Sequence, residues 1–118
     1  MKTFLILNLL LMAVMQVNSV AAHAVVTDYS LKMQPIHANQ PDKIMMTFNS
    51  QVEIGLSQVF LVSKGDKHEM LKIGAGDKQG QLVVEVPALA PGDYAIKFKV
   101  FAADGHLTED VIHFSVAQ

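Results

Sequence analysis

The sequence predicts an all-β fold: a Greek-key, immunoglobulin-like sandwich of about seven strands, preceded by a cleaved signal peptide. Three observations carry this reading. Apolar residues after position 22 recur mostly with a period of two. The runs are short and separated by Gly, Pro, Asp and Asn at intervals of roughly 8–12 residues. No window of about 12 residues beyond the leader shows the apolar spacing of a helix.

Taken in order, AVVTDYSL (24–31) reads as the first strand. KIMMTF (43–48) places Ile44, Met46 and Phe48 on one face, with Met45 opposite. QVFLVS (58–63) is a short, nearly continuous apolar strand, and EMLKIG (69–74) is a weaker one. QLVVEV (81–86) stops at Pro87. DYAIKFKVF (93–101) alternates strictly, with Tyr94, Ile96, Phe98 and Val100 inward and Lys97 and Lys99 outward. VIHFSV (111–116) turns Ile112, Phe114 and Val116 inward and His113 outward. Between these runs lie the turn signals NQPDK, SKGDK, GAGDKQG, LAPGDY and ADGH.

The leader has its own signature. Met1-Lys2 is a minimal basic start, FLILNLLLMAVM (4–15) is apolar, and QVNSVAA ends on small residues. The apolar run is shorter than the ~20 residues that span a bilayer. Residues 1–22 are therefore expected to be a signal peptide, and residues 23–118 a single domain exported to the periplasm. Removal of the leader leaves 96 residues with eight lysines, no arginine and eleven acids, a formal charge of −3. That balance argues against nucleic acid, which is bound through clustered cations. The chain has no cysteine. Disulfides, lipobox lipidation, cysteine zinc sites, iron–sulfur clusters and blue-copper centres are all excluded.

Two short segments bear on chemistry. FAADGH (101–106) ends the longest alternating strand and places Asp104 two residues before His106, with Gly105 between. In extended chain such residues share a side, and the glycine also permits a turn. A carboxylate and an imidazole can so converge at the rim of the sandwich. Taken alone, the segment reads first as an Asp-Gly turn with an incidental histidine. The second segment is VAAHAVV (20–26). Cleavage after Ala22 makes His23 the first residue. Cleavage after Ala21 or Ala24 also satisfies the small-residue rule, and the second of these removes His23 altogether. An N-terminal histidine offers its amine and its Nδ1 to one metal. With the His106 imidazole and the Asp104 carboxylate, this makes three nitrogens and one oxygen. That set suits the tetragonal geometry of Cu(II), which also tops the divalent affinity order.

These residues resemble the CopC family of periplasmic copper-binding proteins. The matching stretches are a mature start at His23-Ala24, a strand ending MTF (46–48), QVEIGLSQVFLV (51–62), and LAPGDYAIKFKVFAADGHLTEDVIHFSV (89–116), the most specific of them. The resemblance implies a small Greek-key β-sandwich that binds one Cu(II) through His23, Asp104 and His106 in copper homeostasis or resistance. The partners it implies are the copper ion and an inner-membrane copper transporter or other copper protein. No nucleic acid and no membrane span after signal cleavage are expected. The chain departs from the family pattern in three places. Asn49-Ser50-Gln51 stand where members often carry an acidic residue, Phe98 replaces a tryptophan, and the methionine-rich loop of Cu(I)-binding members is missing.

The remaining candidates are weaker. His68 and Met70 read as an exposed strand residue beside a core methionine, one imidazole and one thioether being a poor soft-metal site. Met33 is a loop or rim residue, and His37, between two prolines, a surface turn residue. Glu109 and Asp110 are placed to accept the second ring N–H of a ligating histidine. No serine sits in a nucleophile elbow, and GAGDKQG lacks the strand–helix context of a phosphate loop. The first reading is thus a Cu(II) carrier without enzymatic activity. The alternatives are a monooxygenase-type redox enzyme with an N-terminal histidine copper, and a metal-free sandwich for adhesion or assembly.

Overall fold

The computed structural model describes residues 25–32 and 34–118. The leader, His23 and Met33 lie outside the described residues. Two four-stranded antiparallel sheets make up the fold. The eight described strands are β1 (Val26–Tyr29), β2 (Asp42–Phe48), β3 (Gln58–Ser63), β4 (Lys67–Leu71), β5 (Ile73–Ala75), β6 (Gln81–Val86), β7 (Gly92–Phe101) and β8 (Leu107–Val116). One sheet has the order β1-β2-β6-β5 and the other β4-β3-β7-β8. Two 3₁₀ turns, Ser30–Lys32 and Ile54–Leu56, complete the described regular structure.

The sequence predicted about seven strands, and the extra one comes from the weak run 69–74. It is two strands in two sheets. Leu71 pairs with Val59 in one sheet, whereas Ile73 pairs with Val84 in the other. The chain crosses between them at Lys72, whose carbonyl accepts the N–H of Glu85 at 2.9 Å. A strand that changes sheets cannot hold one alternation along its length, so its pattern is blurred in the sequence.

Elsewhere the alternation builds the core as expected. Ile44, Met46, Phe48, Leu82, Val84 and Val86 come from one sheet, and Val59, Leu61, Ile96, Phe98 and Val100 from the other; all are buried. Burying each large apolar side chain is worth about 1.5–3 kcal/mol, set against the entropy of ordering the chain. Phe98, in the place of the family tryptophan, meets Phe48 edge-on across the sandwich, with ring centroids 6.0 Å apart. Near the start of β7 the Tyr94 hydroxyl donates to the Ala90 carbonyl at 2.7 Å. This is the tyrosine corner of immunoglobulin-like sandwiches.

One end of the sandwich positions the candidate site. The start of β1, the end of β2, the start of β6 and the β7–β8 turn meet there. The Gly80 carbonyl accepts the Phe48 N–H at 2.8 Å, and Gln79 Nε2 donates to Gln51 Oε1 at 2.9 Å. A Cβ on Gly80 would lie 2.9 Å from the Phe48 carbonyl oxygen and 3.0 Å from that of Ser50. Only glycine lets the backbones approach so closely.

Candidate metal centre

The tight turn 102–106 joins β7 to β8. Ala102 donates its N–H to the His106 carbonyl at 2.9 Å, and Gly105 donates to the Ala102 carbonyl at 2.9 Å. Gly105 has φ +89°, which L side chains rarely adopt. Asp104 Oδ1 accepts the His106 N–H at 3.0 Å, an Asx turn, and Oδ2 lies 2.9 Å from His106 Nδ1. The carboxylate and imidazole therefore converge through a turn, not through shared sidedness in extended chain. Both are partly open to solvent, at 38% and 45% side-chain exposure, so an ion can reach them. With Nδ1 turned to the carboxylate, Nε2 is the ring nitrogen presented away from it.

Backbone bonds hold this turn in place. Ala103 donates to the Gln51 carbonyl at 3.0 Å, Glu53 donates to the Phe101 carbonyl at 2.8 Å, and Val52 bridges Ala102. Two residues before Gln51, Asn49 binds the first described residue of the chain. Its Oδ1 accepts the Val25 N–H at 2.8 Å, and its own N–H donates to the Val25 carbonyl at 3.0 Å. In the sequence Asn49 stands out only as part of Asn49-Ser50-Gln51, the stretch without the acidic residue that members often carry. The role it takes depends on a partner 24 positions away and leaves no local signal.

The profile of the CopC domain matches residues 26–117. The chain belongs to the CopC family. Among solved structures it is similar to CopC from Methylosinus trichosporium OB3b, at 31% identity over 80% of this chain and 93% of that one, with a TM-score of 0.67. It is also similar to PcoC from Escherichia coli, a methionine-rich copper resistance protein, at 19% identity over 81% of this chain and all of that one, with a TM-score of 0.59. That second likeness is one of fold. No curated protein matches the chain.

Against the CopC pattern, the other candidates separate clearly. His113 lies exposed on the outer face of its sheet, opposite Ala95, as its phase predicts. His37 is exposed and bridges Ala117. His68 binds Asp66 Oδ1 through Nε2 at 2.8 Å on the outer strand β4. The expectation of a core methionine beside it fails: Met70 is 60% exposed, because β4 presents both its faces to solvent until Leu71. Met46 is buried and Met45 lies on the outer face, as expected. The contacts seen for Glu109 and Asp110 lie elsewhere. Glu109 stands opposite Lys99, and Asp110 Oδ1 accepts the Val111 N–H at 2.8 Å. The carboxylate seen against the His106 ring is that of Asp104.

Among the described residues no three His, Cys, Asp or Glu side chains gather as a metal-holding group. The described part of the site is thus a two-donor pair, one carboxylate and one imidazole. A tetragonal ion needs further donors from outside it.

Proposed function

We propose that this chain is a Cu(II)-binding protein that takes up one copper ion and sequesters it or passes it to a partner. The ion is the cargo, and the chain does no chemistry on it. The donors are the amine and imidazole of His23, the imidazole of His106 and the carboxylate of Asp104. The observation that carries this reading is the Asp104–His106 pair, held on a turn whose neighbour Ala103 is bonded to the segment that also binds Val25. Residue 23 is two positions from Val25 in the sequence, and two residues of extended chain span at most roughly 7 Å. Membership in the CopC family supports copper over other metals.

In this reading each group has a distinct task. The amine and imidazole of His23 close one chelate ring. His106 supplies a third nitrogen from a ring already oriented by Asp104. The carboxylate contributes negative charge that offsets part of the ion's charge. Half-exposure of both side chains keeps the ion open to capture and release, as a carrier needs.

Residues 1–22 act as a signal peptide in this reading, and the folded domain works in the periplasm. A copper protein or an inner-membrane copper transporter is the recipient. None of the described helices is long and apolar enough to cross a membrane. The test combines two measurements on secreted protein. Intact mass is expected to place the first residue at His23. Titration with Cu(II) is expected to saturate at one ion with a tetragonal, nitrogen-rich EPR signal and to outcompete Zn(II). A mature protein beginning at Val25, or equal affinity for the two metals, refutes the assignment.

A further inference from the structure

Asn49 sits one residue past the end of β2, and Val25 one residue before β1. The two strands pair up to Val26 and Phe48. At the next step the ladder changes character. Asn49 still donates its backbone N–H to the Val25 carbonyl, but the returning bond from the Val25 N–H goes to the Asn49 side chain at 2.8 Å. The carboxamide oxygen stands in for a main-chain carbonyl, as Asx side chains do in turns. Val25 is thereby held at both its N–H and its C=O while the Asn49 main chain bends away from the sheet. Within two residues that main chain reaches Gln51, whose carbonyl accepts the Ala103 N–H beside Asp104. Gln51 is itself steadied by Gln79. A single side chain thus pins the start of β1, and the chain that follows it bonds the turn that carries Asp104 and His106.

We infer that Asn49 is a positioning residue for copper. Its carboxamide clamps Val25 so that the residues ahead of it are delivered to the Asp104–His106 turn, and it does so without ligating the ion. This rests on the Cu(II) reading above. Asn49 also belongs to the stretch 49–51 where members often carry an acidic residue. A carboxylate near the ion adds charge to the donor set. A carboxamide adds none, and here its oxygen is committed to a backbone N–H, so the residue acts by preorganisation. Ordering a chelating segment before the ion arrives removes an entropic cost from binding.

The test compares Asn49→Ala, Asn49→Gln, Asn49→Asp and His106→Ala. Cu(II) affinity is read by competition with a chromophoric chelator, and exchange protection of the Val25 amide by NMR on metal-free protein. Loss of one hydrogen bond predicts about fivefold to tenfold weaker Cu(II) binding in Asn49→Ala, with a similar loss of Val25 protection. Asn49→Gln is expected to lose the clamp as well, because its oxygen sits one methylene too far, and it keeps the inference testable if the alanine variant does not fold. Asn49→Asp retains an acceptor and is expected to keep Val25 protected. If His106→Ala weakens copper binding while Asn49→Ala and Asn49→Gln bind and protect like the parent, the clamp is overturned and the copper reading stands. If His106→Ala binds copper as tightly as the parent, the copper reading itself fails, and the role of Asn49 with it.

Discussion

The Nδ1 atom of His106 lies 2.9 Å from Oδ2 of Asp104, and the other oxygen of that carboxylate accepts the His106 backbone N–H at 3.0 Å. Both oxygens of one residue therefore act on the same neighbour. One sets the turn and the other sets the plane of the imidazole. Two donor atoms 2.9 Å apart are also spaced to bind one ion side by side, as the Cu(II) reading requires of this carboxylate and imidazole.

The pair makes a graded prediction. His106→Ala removes a donor and is expected to weaken Cu(II) binding most. Asp104→Ala removes the charge and both hydrogen bonds. Asp104→Asn keeps an acceptor for the His106 N–H but loses the charge, so it should fall between Asp104→Ala and the parent. Asp104 is itself a donor in the Cu(II) reading, so its loss is expected to cost at least the roughly 10–100-fold in affinity that follows loss of a partner outside the ligand set. Chelator competition on the three variants checks the order, and equal affinity for Asp104→Ala and the parent contradicts it.

The amine makes a second prediction. An alanine added ahead of His23 turns the terminal amine into an amide nitrogen and moves the new amine into a different ring. Cu(II) affinity is expected to drop and the EPR hyperfine pattern to change, while far-UV circular dichroism stays the same. The described part of the site lies on an exposed turn, outside the core. Unaltered affinity in the extended protein removes the amine from the ligand set.

Gly105 supports a third prediction. Its φ of +89° is costly for any L side chain, although open space surrounds it. Gly105→Ala is expected to destabilise the fold by about 1–2 kcal/mol. For a domain near this size each kcal/mol is worth roughly 4–8 °C in Tm. Part of the strain can be relieved by opening the Asx turn, so copper affinity should fall together with Tm. A Gly105→Ala protein with the parent Tm shows that the turn relaxes at no cost.

How much of this was legible beforehand follows from the range of each interaction. Period-two patterning reports burial residue by residue, so Ile44, Met46, Phe48, Ile96, Phe98 and Val100 were placed correctly from the sequence alone. Asp104 and His106 were found because their contact spans two positions. The sheet change at Lys72 was missed, since its cause is pairing with Val59 and Val84 in different sheets. The contact of Asn49 with Val25 left no local signal for the same reason: its partner is brought to it by the β1–β2 pairing. The exposure of Met70 depends on β4 being an outer strand, and strand order is not written in local pattern.

The tyrosine corner gives the last prediction, which separates stability from copper binding. Tyr94 stacks on Phe114 at 5.8 Å between ring centroids and bonds the Ala90 carbonyl through its hydroxyl. Tyr94→Phe keeps the ring and removes the bond, at an expected cost of about 0.5–1.5 kcal/mol. Tyr94 lies near the start of β7, whereas Asp104 and His106 follow its end at Phe101. At ~3.3 Å per residue the intervening strand sets the two roughly 20 Å apart. The variant should therefore unfold at a lower temperature, by about 4–8 °C per kcal/mol lost, yet bind Cu(II) with the parent affinity. Thermal unfolding and chelator competition on the same sample decide it. A copper affinity that falls along with Tm would mean that the metal end of the sandwich is coupled to its opposite end through β7, and that the pinned turn is not the independent unit its local hydrogen bonds describe.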